Sequence, residues 1–240
     1  MKNRNDPGIS GVLILDKPYG MTSFAALQKV KRLGGWRKVG HGGTLDPCAT
    51  GMLPLLLNNA TKRAELFLNT SKEYQGWLQL GIKTDTQDIT GIIQKSSLRE
   101  ARRVPLSRLE EEVRRLREIP TQRTPKFSAA KWRGKPLYVY ARQGLPSLNK
   151  ERKIKIFSFT IVQSKETEGR FKFILSCSKG TYVRQLIDDL GDRLTCGACL
   201  LSLRRTRLGQ YDSDKMHSLQ NIASAVQDPE KFQELLCLRD

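Results

Sequence analysis

Twelve residues constrain this chain more than any others: Gly40-His41-Gly42-Gly43-Thr44-Leu45-Asp46-Pro47-Cys48-Ala49-Thr50-Gly51, with the apolar segment Met52 to Leu57 behind them. The glycines at 40, 42, 43 and 51 let the backbone take positive φ and let another molecule approach closely. Asp46 is the only acid between Asp16 and Glu65, and the basic residues Arg37 and Lys38 precede it. A lone carboxylate in such surroundings repels a polyanion. It therefore has either a structural task, capping the turn before Pro47, or a chemical one.

A polyanion is nevertheless the expected partner. Lys and Arg number 42 against 24 Asp and Glu, giving a formal net charge of +18 and a sequence pI near 10.0. That balance points to nucleic acid or, as the competing reading, to an acidic membrane surface. Against the membrane, apolar runs such as Val12 to Leu15 and Leu55 to Leu57 fall far short of the ~20 residues of a spanning helix. Met1 to Gly8 carry no apolar signal region. The expectation is a soluble cytoplasmic protein. At 240 residues the chain is long enough for a real core, in one large domain or two small ones.

Five cysteines (Cys48, Cys177, Cys196, Cys199, Cys237), an odd number thinly spread, fit a reducing compartment. Cys196-Gly-Ala-Cys199 lacks the second pair of a zinc ribbon, and the only histidines are His41 and His217. Small buried side chains are expected there rather than a metal site. Gly134-Lys135 is followed by Pro136, where a phosphate-cradling loop needs Ser or Thr. No ATP or dinucleotide site is expected.

Taken in order, Gly11 to Lys17 reads as a short strand ending at the turn Pro18-Tyr19-Gly20. Thr22 or Ser23 then caps a helix with Phe24, Leu27, Val30 and Leu33 at helical spacing, stopped by Gly34-Gly35. Asn59 to Leu68 reads as a second helix. In Lys72 to Ile82, Tyr74, Leu78, Leu80 and Ile82 share one face and Gln75 and Gln79 the other, which points Tyr74 inward. Ile92-Ile93 is a candidate antiparallel partner. Ser107-Arg-Leu-Glu110 has the form of a capping box ahead of a helix with Leu109, Val113 and Leu116 on one side.

Between Pro120 and Lys155, ten Lys or Arg stand against Glu151 alone, half of the net charge of +18, and Phe127, Trp132, Tyr138 and Tyr140 are interleaved with them. Phosphate neutralisation and flat faces for stacking on bases come together there. The segment reads as an RNA-gripping insertion, with Lys126, Lys131 and Arg133 as candidate contacts and a short helix from Pro136 to Gln143. Strands Ile154 to Val162 and Phe171 to Cys177 lead into Lys179-Gly180-Thr181-Tyr182-Val183-Arg184, a glycine turn opening a helix. A helix N-terminus beside Lys179 suits an anion, either a phosphate or the Asp46 carboxylate. Arginine in a first turn runs against the helix dipole, so Arg184 either has a functional task or pairs with Asp188.

Four blocks, in this order, resemble the bacterial TruB family, the tRNA pseudouridine-55 synthases: GVLILDKPYG from Gly11, GHGGTLDPCATGMLP from Gly40, TPKFSAAKWRGKPLYVYARQG from Thr124, and CSKGTYVRQLIDDLGDRLTCGACLLSLRRTRLG from Cys177. With Lys72-Glu-Tyr74 and Gly81 to Thr86 they cover nearly all the chain up to Tyr211. Cys48 and Cys199 stand where leucine and histidine are more usual in the family, and Phe127 where tyrosine is. The resemblance implies the α+β pseudouridine synthase fold, a mixed, largely antiparallel sheet flanked by helices with a central active-site cleft. It also implies isomerisation of one uridine in the T loop of tRNA by base flipping, with no cofactor. No obligate protein partner is expected.

By the same resemblance Asp46 is the catalytic nucleophile or base, Arg184 its ion-pair partner, and Tyr74 the residue packed on the uracil, its hydroxyl a candidate for removing the C5 proton. His41 would occupy the space that a flipped base leaves. Lys17 and Lys62 would pair or contact near the site, Leu203 would line it, and Tyr182 and Lys179 would bind substrate. Residues 121–149 correspond to a thumb within a catalytic domain of residues 1–212. Residues 213–240 are expected to form a short helical tail, packed on the core through Leu219, Ile222, Phe232 and Leu236, with no separate RNA-binding domain. The alternative is a non-catalytic tRNA-binding or folding module on the same scaffold. Asp46 argues against it, because pure binding gains nothing from a carboxylate facing phosphates.

Overall fold

The structure, a computed structural model, describes residues 8–146, 150–163 and 169–239. It forms two compact units, one comprising the described residues up to Tyr74 and from Leu203 onward, the other running from Gln75 to Ser202. The first unit begins with β1 (Gly11–Lys17) and α1 (Ser23–Gly34). Thr22 is the cap of α1, its hydroxyl accepting a hydrogen bond from Ala25 N. The buried stripe of α1 is Ser23, Ala26, Leu27, Val30 and Gly34, which leaves Phe24 outside at 66% exposure. Phe24 shares the helical spacing of Leu27 and Val30, but its neighbour Ser23 is the buried residue because its hydroxyl bonds the main chain of Leu45 in the loop before the next long strand. The chain continues through β2 (Val39–His41), β3 (Ala49–Leu57), a 3₁₀ turn over Asn58–Arg63, α2 (Ala64–Asn69) and β4 (Lys72–Leu80). The helix expected over Asn59 to Leu68 is thus split in two. All but one residue of β3 is buried, the near-continuous apolar run of a strand covered on both faces.

In the second unit β4 stops at Leu80 because Gly81 takes φ +84. Ile82 therefore leaves the long strand and enters β5 (Ile82–Thr84), which pairs antiparallel with β6 (Ile93–Ser96) as a separate ribbon. After α3 (Leu98–Ala101) comes α4 (Leu106–Leu116), which buries Leu109, Val113 and Leu116 as its spacing requires. The capping box at Ser107 does not form: the helix begins a residue earlier, with Pro105 at the cap and no side-chain cap bond. The basic insertion holds β7 (Thr121–Arg123), the hairpin β8 (Lys131–Trp132) and β9 (Lys135–Pro136), α5 (Leu137–Arg142) and β10 (Glu151–Lys153), with β7 antiparallel to β10. Residues 147–149 of the expected thumb lie outside the described residues. β11 (Ile156–Gln163) and β12 (Arg170–Cys177) pair antiparallel, followed by α6 (Val183–Arg193) and β13 (Ala198–Leu208). The strand order in this unit is β11-β12-β4-β13. Cys196 and Cys199 are buried within it, and burial pushes the Cys199 thiol up to about 11.

The second half of β13 belongs to the first unit and lies parallel to β3, with Leu203 opposite Ala49 and Arg205 opposite Gly51. The order there is β13-β3-β1, with β1 and β2 both antiparallel to β3. The tail forms α7 (Leu219–Ala225, capped by Ser218) and α8 (Pro229–Glu234, capped by Asp228). It ends in an unforeseen strand, β14 (Leu236–Arg239), which covers the free edge of β1. Ile222, Phe232 and Leu236 are buried and Leu219 half-buried. No helix among the described residues is long and apolar enough to cross a membrane.

Phe232 is 1% exposed and its ring centroid lies 4.8 Å from that of Trp36. Phe232→Ala is expected to lower the unfolding free energy by about 3–5 kcal/mol, read from urea denaturation. A loss below about 1 kcal/mol would show that the tail is not part of the core.

Candidate active site

Asp46 sits half-buried between β2 and β3, and the main chain on either side of it is braced. On one side the buried Ser23 hydroxyl accepts from Leu45 N at 2.8 Å and donates to Leu45 O at 3.0 Å. On the other, Pro47 O accepts from Gly20 N at 2.9 Å and from Lys17 Nζ at 3.3 Å. The buried ammonium of Lys17 also donates to Met21 O at 2.6 Å and Pro18 O at 2.9 Å. The turn itself closes through Ala49 N to Asp46 O at 3.0 Å. Arg205, 1% exposed, spans the two ends of the loop, donating from Nε to Met52 O at 2.7 Å and from Nη2 to Gly43 O at 3.1 Å. Gly51 is obligatory here: its φ is +92, and a Cβ would collide with the Arg205 main chain.

The electrostatics follow from this burial. Desolvation, aided by Arg205, lowers Lys17 to about 8, against the opposing pull of Cys48 and Asp46. Burial, with Arg205 adding to it, also pushes His41 below its ordinary 6.5, so its imidazole is neutral at pH 7. His41 Nδ1 is buried with no hydrogen-bond partner among the described residues. Leu203 is buried opposite Ala49, its carbonyl accepting from the Thr50 hydroxyl at 3.4 Å. Tyr74 is buried on β4, as the alternation requires, whereas Lys62 is exposed on the 3₁₀ turn. The first unit thus brings Asp46, Lys17, His41 and Leu203 around one loop. Ser23 and Arg205 were missed as site residues; Arg205 stood in view only as part of a basic run, Arg204-Arg205-Thr206-Arg207.

In the second unit Arg184 is 4% exposed and donates from Nη2 to Phe127 O at 2.6 Å and from Nη1 to Thr86 O at 3.4 Å. Asp188, one turn further along the helix, forms an ion pair with Lys83 at 3.3 Å through Oδ1 and accepts from Gln87 Nε2 at 3.1 Å through Oδ2. The Thr84 to Ile92 loop contains the buried Asp88, whose Oδ1 accepts from Thr86 Oγ1 and Thr90 N at 2.9 Å each. A cavity of about 880 Å³ is lined by Arg123, Lys126, Phe127, Arg184, Asp188 and Asp189 among others. Tyr182 caps α6, with the guanidinium of Arg152 5.0 Å and that of Arg184 5.8 Å from its ring centre; Lys179 is exposed. Lys126, Lys131 and Arg133 are exposed on the insertion. Of its aromatics, Trp132 and Tyr140 pack on each other at 5.1 Å, and Tyr138 presents 39% of its surface.

Residues 31–183 match the model of the TruB family pseudouridylate synthase N-terminal domain, and residues 184–237 that of the tRNA pseudouridylate synthase B C-terminal domain. The chain belongs to the TruB family. The tRNA pseudouridine synthase B of Vibrio vulnificus is 41% identical over 225 residues, which cover 94% of this chain and 70% of that protein. That of Blochmanniella pennsylvanica is 42% identical over 216 residues, covering 90% and 81%. A crystal structure of a Cbf5-Nop10-Gar1 complex matches 95% of this chain at 26% identity and a TM-score of 0.73, over 60% of its own chain. The mixed sheet with flanking helices expected from the TruB resemblance is therefore the fold observed.

For this TruB-family loop the lowered Lys17 has a measurable consequence. Between its folded value of about 8 and its ordinary 10.5, the unfolded chain holds a proton that the folded chain has released, so stability rises with pH across that window. Urea titrations of the wild type and Lys17→Met, compared between about pH 7 and 10.5, should show the difference moving in favour of the wild type as pH rises. A difference that is flat or falls contradicts the burial of this ammonium.

Proposed function

We propose that this TruB-family protein is a tRNA pseudouridine synthase that converts uridine 55 of the T loop, with Asp46 as its essential carboxylate. The observation that carries the reading is Asp46 itself, held on a loop braced by Ser23, Lys17 and Arg205 in a chain of net charge +18. Nothing in RNA binding calls for a carboxylate so carefully placed. The N1–C1′ bond of the nucleotide breaks, the uracil turns, and C5 bonds to C1′. A proton leaves C5 and N1 gains one, so atoms balance without a co-reactant.

Each residue of the site has a task in that reaction. Asp46 attacks or deprotonates, and Arg184, by family resemblance, is its cationic partner. Tyr74, by the same resemblance, packs on the uracil and takes the C5 proton. His41, neutral because of its burial, fills the gap left by the extruded base without adding charge. Leu203 lines the pocket, while Lys17 adds positive potential behind the loop. Lys62, Lys179, Tyr182 and the insertion contact the RNA, the insertion closing as a thumb over the T arm. In our reading the catalytic domain spans residues 1–212, the tail contributes stability rather than grip, and the enzyme works on tRNA in the cytoplasm without an obligate protein partner.

Asp46→Asn should abolish pseudouridine formation in an unmodified tRNA transcript while changing the RNA dissociation constant by less than about threefold, because the carboxylate serves bond breaking and not grip. Turnover retained by the purified variant rejects the assignment. Changing Lys126, Lys131 and Arg133 together to Ala should weaken binding and reduce the slope of log affinity against log salt by about two. An unchanged slope would place the phosphate contacts elsewhere.

A further inference from the structure

The base of the basic insertion grips the start of α6 in a way the reaction chemistry does not explain. Gln122, on β7, is 3% exposed. Its amide brackets one residue: Oε1 accepts from Tyr182 N at 2.8 Å and Nε2 donates to Tyr182 O at 3.1 Å. Tyr182 is the N-cap of α6 and makes no side-chain cap bond of its own, so the helix start depends on partners from outside. Arg152, the cross-strand neighbour of Gln122 on β10, donates from Nη1 to Gly180 O at 3.2 Å and lays its guanidinium over the Tyr182 ring. A tie runs the other way as well, since Arg184, two residues into the same turn, donates to Phe127 O at 2.6 Å within the insertion.

From this we infer that Gln122 and Arg152 are positioning residues, which fix Tyr182 and Arg184 to the base of the insertion so that RNA seated on the insertion sets the geometry of those two side chains. The inference rests on the proposed function for its catalytic consequence, though not for its geometry. A buried amide is costly unless its bonds are made, and here both of its bonds go to the residue that opens α6. An apolar side chain would hold β7 in place equally well. It would not fix the direction in which Tyr182 and Arg184 point.

The test uses the full chain, its Gln122→Met and Gln122→Glu variants, and an unmodified tRNA transcript. Gln122→Met keeps the volume and loses both bonds; Gln122→Glu keeps the acceptor for Tyr182 N and loses the donor. Amide hydrogen exchange at Tyr182 in the free protein should speed up in Gln122→Met, which loses the acceptor, and stay close to the wild type in Gln122→Glu, which keeps it. In single turnover the rate constant of Gln122→Met should fall about tenfold or more with RNA affinity within about threefold, since a small misplacement of reacting groups costs rate before grip. Gln122→Glu should lie between it and the wild type. Unchanged exchange, or a full rate constant in a folded Gln122→Met protein, overturns the inference. So does a loss confined to thermal stability, which a purely structural glutamine would give. If Gln122→Met does not fold, Gln122→Leu, which also lacks both bonds, decides on the same two readouts. A wild type that binds tRNA without turnover, together with faster Tyr182 exchange in the apolar variant, refutes the proposed function and leaves the geometric tie standing.

Discussion

Two buried cations facing main-chain carbonyls hold the Asp46 loop, and the rest of the first unit is arranged to deliver them. Lys17 has three protons to donate and three carbonyls to receive them, those of Pro18, Met21 and Pro47. Arg205 spends its fork on the two ends of the loop, at Gly43 and Met52. An unpaired charge at 0–1% exposure would cost several kcal/mol, and these bonds offset that cost while leaving the positive charge in place. An apolar pair could pack the same space but would take these donors away from all five carbonyls and remove the potential that favours a carboxylate. The sheet follows from this need. β1 brings Lys17 to one side of β3, and β13, running parallel to β3, brings Arg205 to the other.

Much of this was legible in the sequence, and the failures share a physical cause. Local periodicity located the strands at Gly11 and Phe171 and the buried face of α4, because in each case the apolar spacing and the burial agree. On α1 the spacing admitted two stripes, and the choice of Ser23 over Phe24 was made by a loop twenty-two residues away in the chain. The capping box at Ser107 is a local signal that lost to Pro105 at the preceding cap. Arg205 reads as one more exposed base in a basic run; only the parallel pairing of β13 with β3, a contact between distant segments, turns it inward. β14 was missed for the same reason, since Leu236 to Arg239 becomes a strand by lying on the edge of β1.

Family resemblance supplied what pattern could not, namely the roles proposed for Asp46, Tyr74 and Arg184, and the TruB matches show the family. The structure shows what braces the residues proposed for those roles: a hydroxyl and two cations on the Asp46 loop, and a glutamine with an arginine at the start of α6. It also changes the picture of the insertion. With Trp132 packed on Tyr140 and Arg133 stacked over Trp132 at 4.7 Å, those rings stabilise the hairpin that carries the charge. The grip proposed for Lys126, Lys131 and Arg133 is then chiefly electrostatic.

The central claim is that the carboxylate on this braced loop isomerises a single uridine of tRNA. Tritium release from transcripts labelled at uracil C5 tests it most directly, because forming the C5–C1′ bond must expel that hydrogen. The account predicts release in proportion to the tRNA supplied, and none from a transcript carrying cytidine at position 55. Tight binding with no release, or equal release from both transcripts, would contradict it.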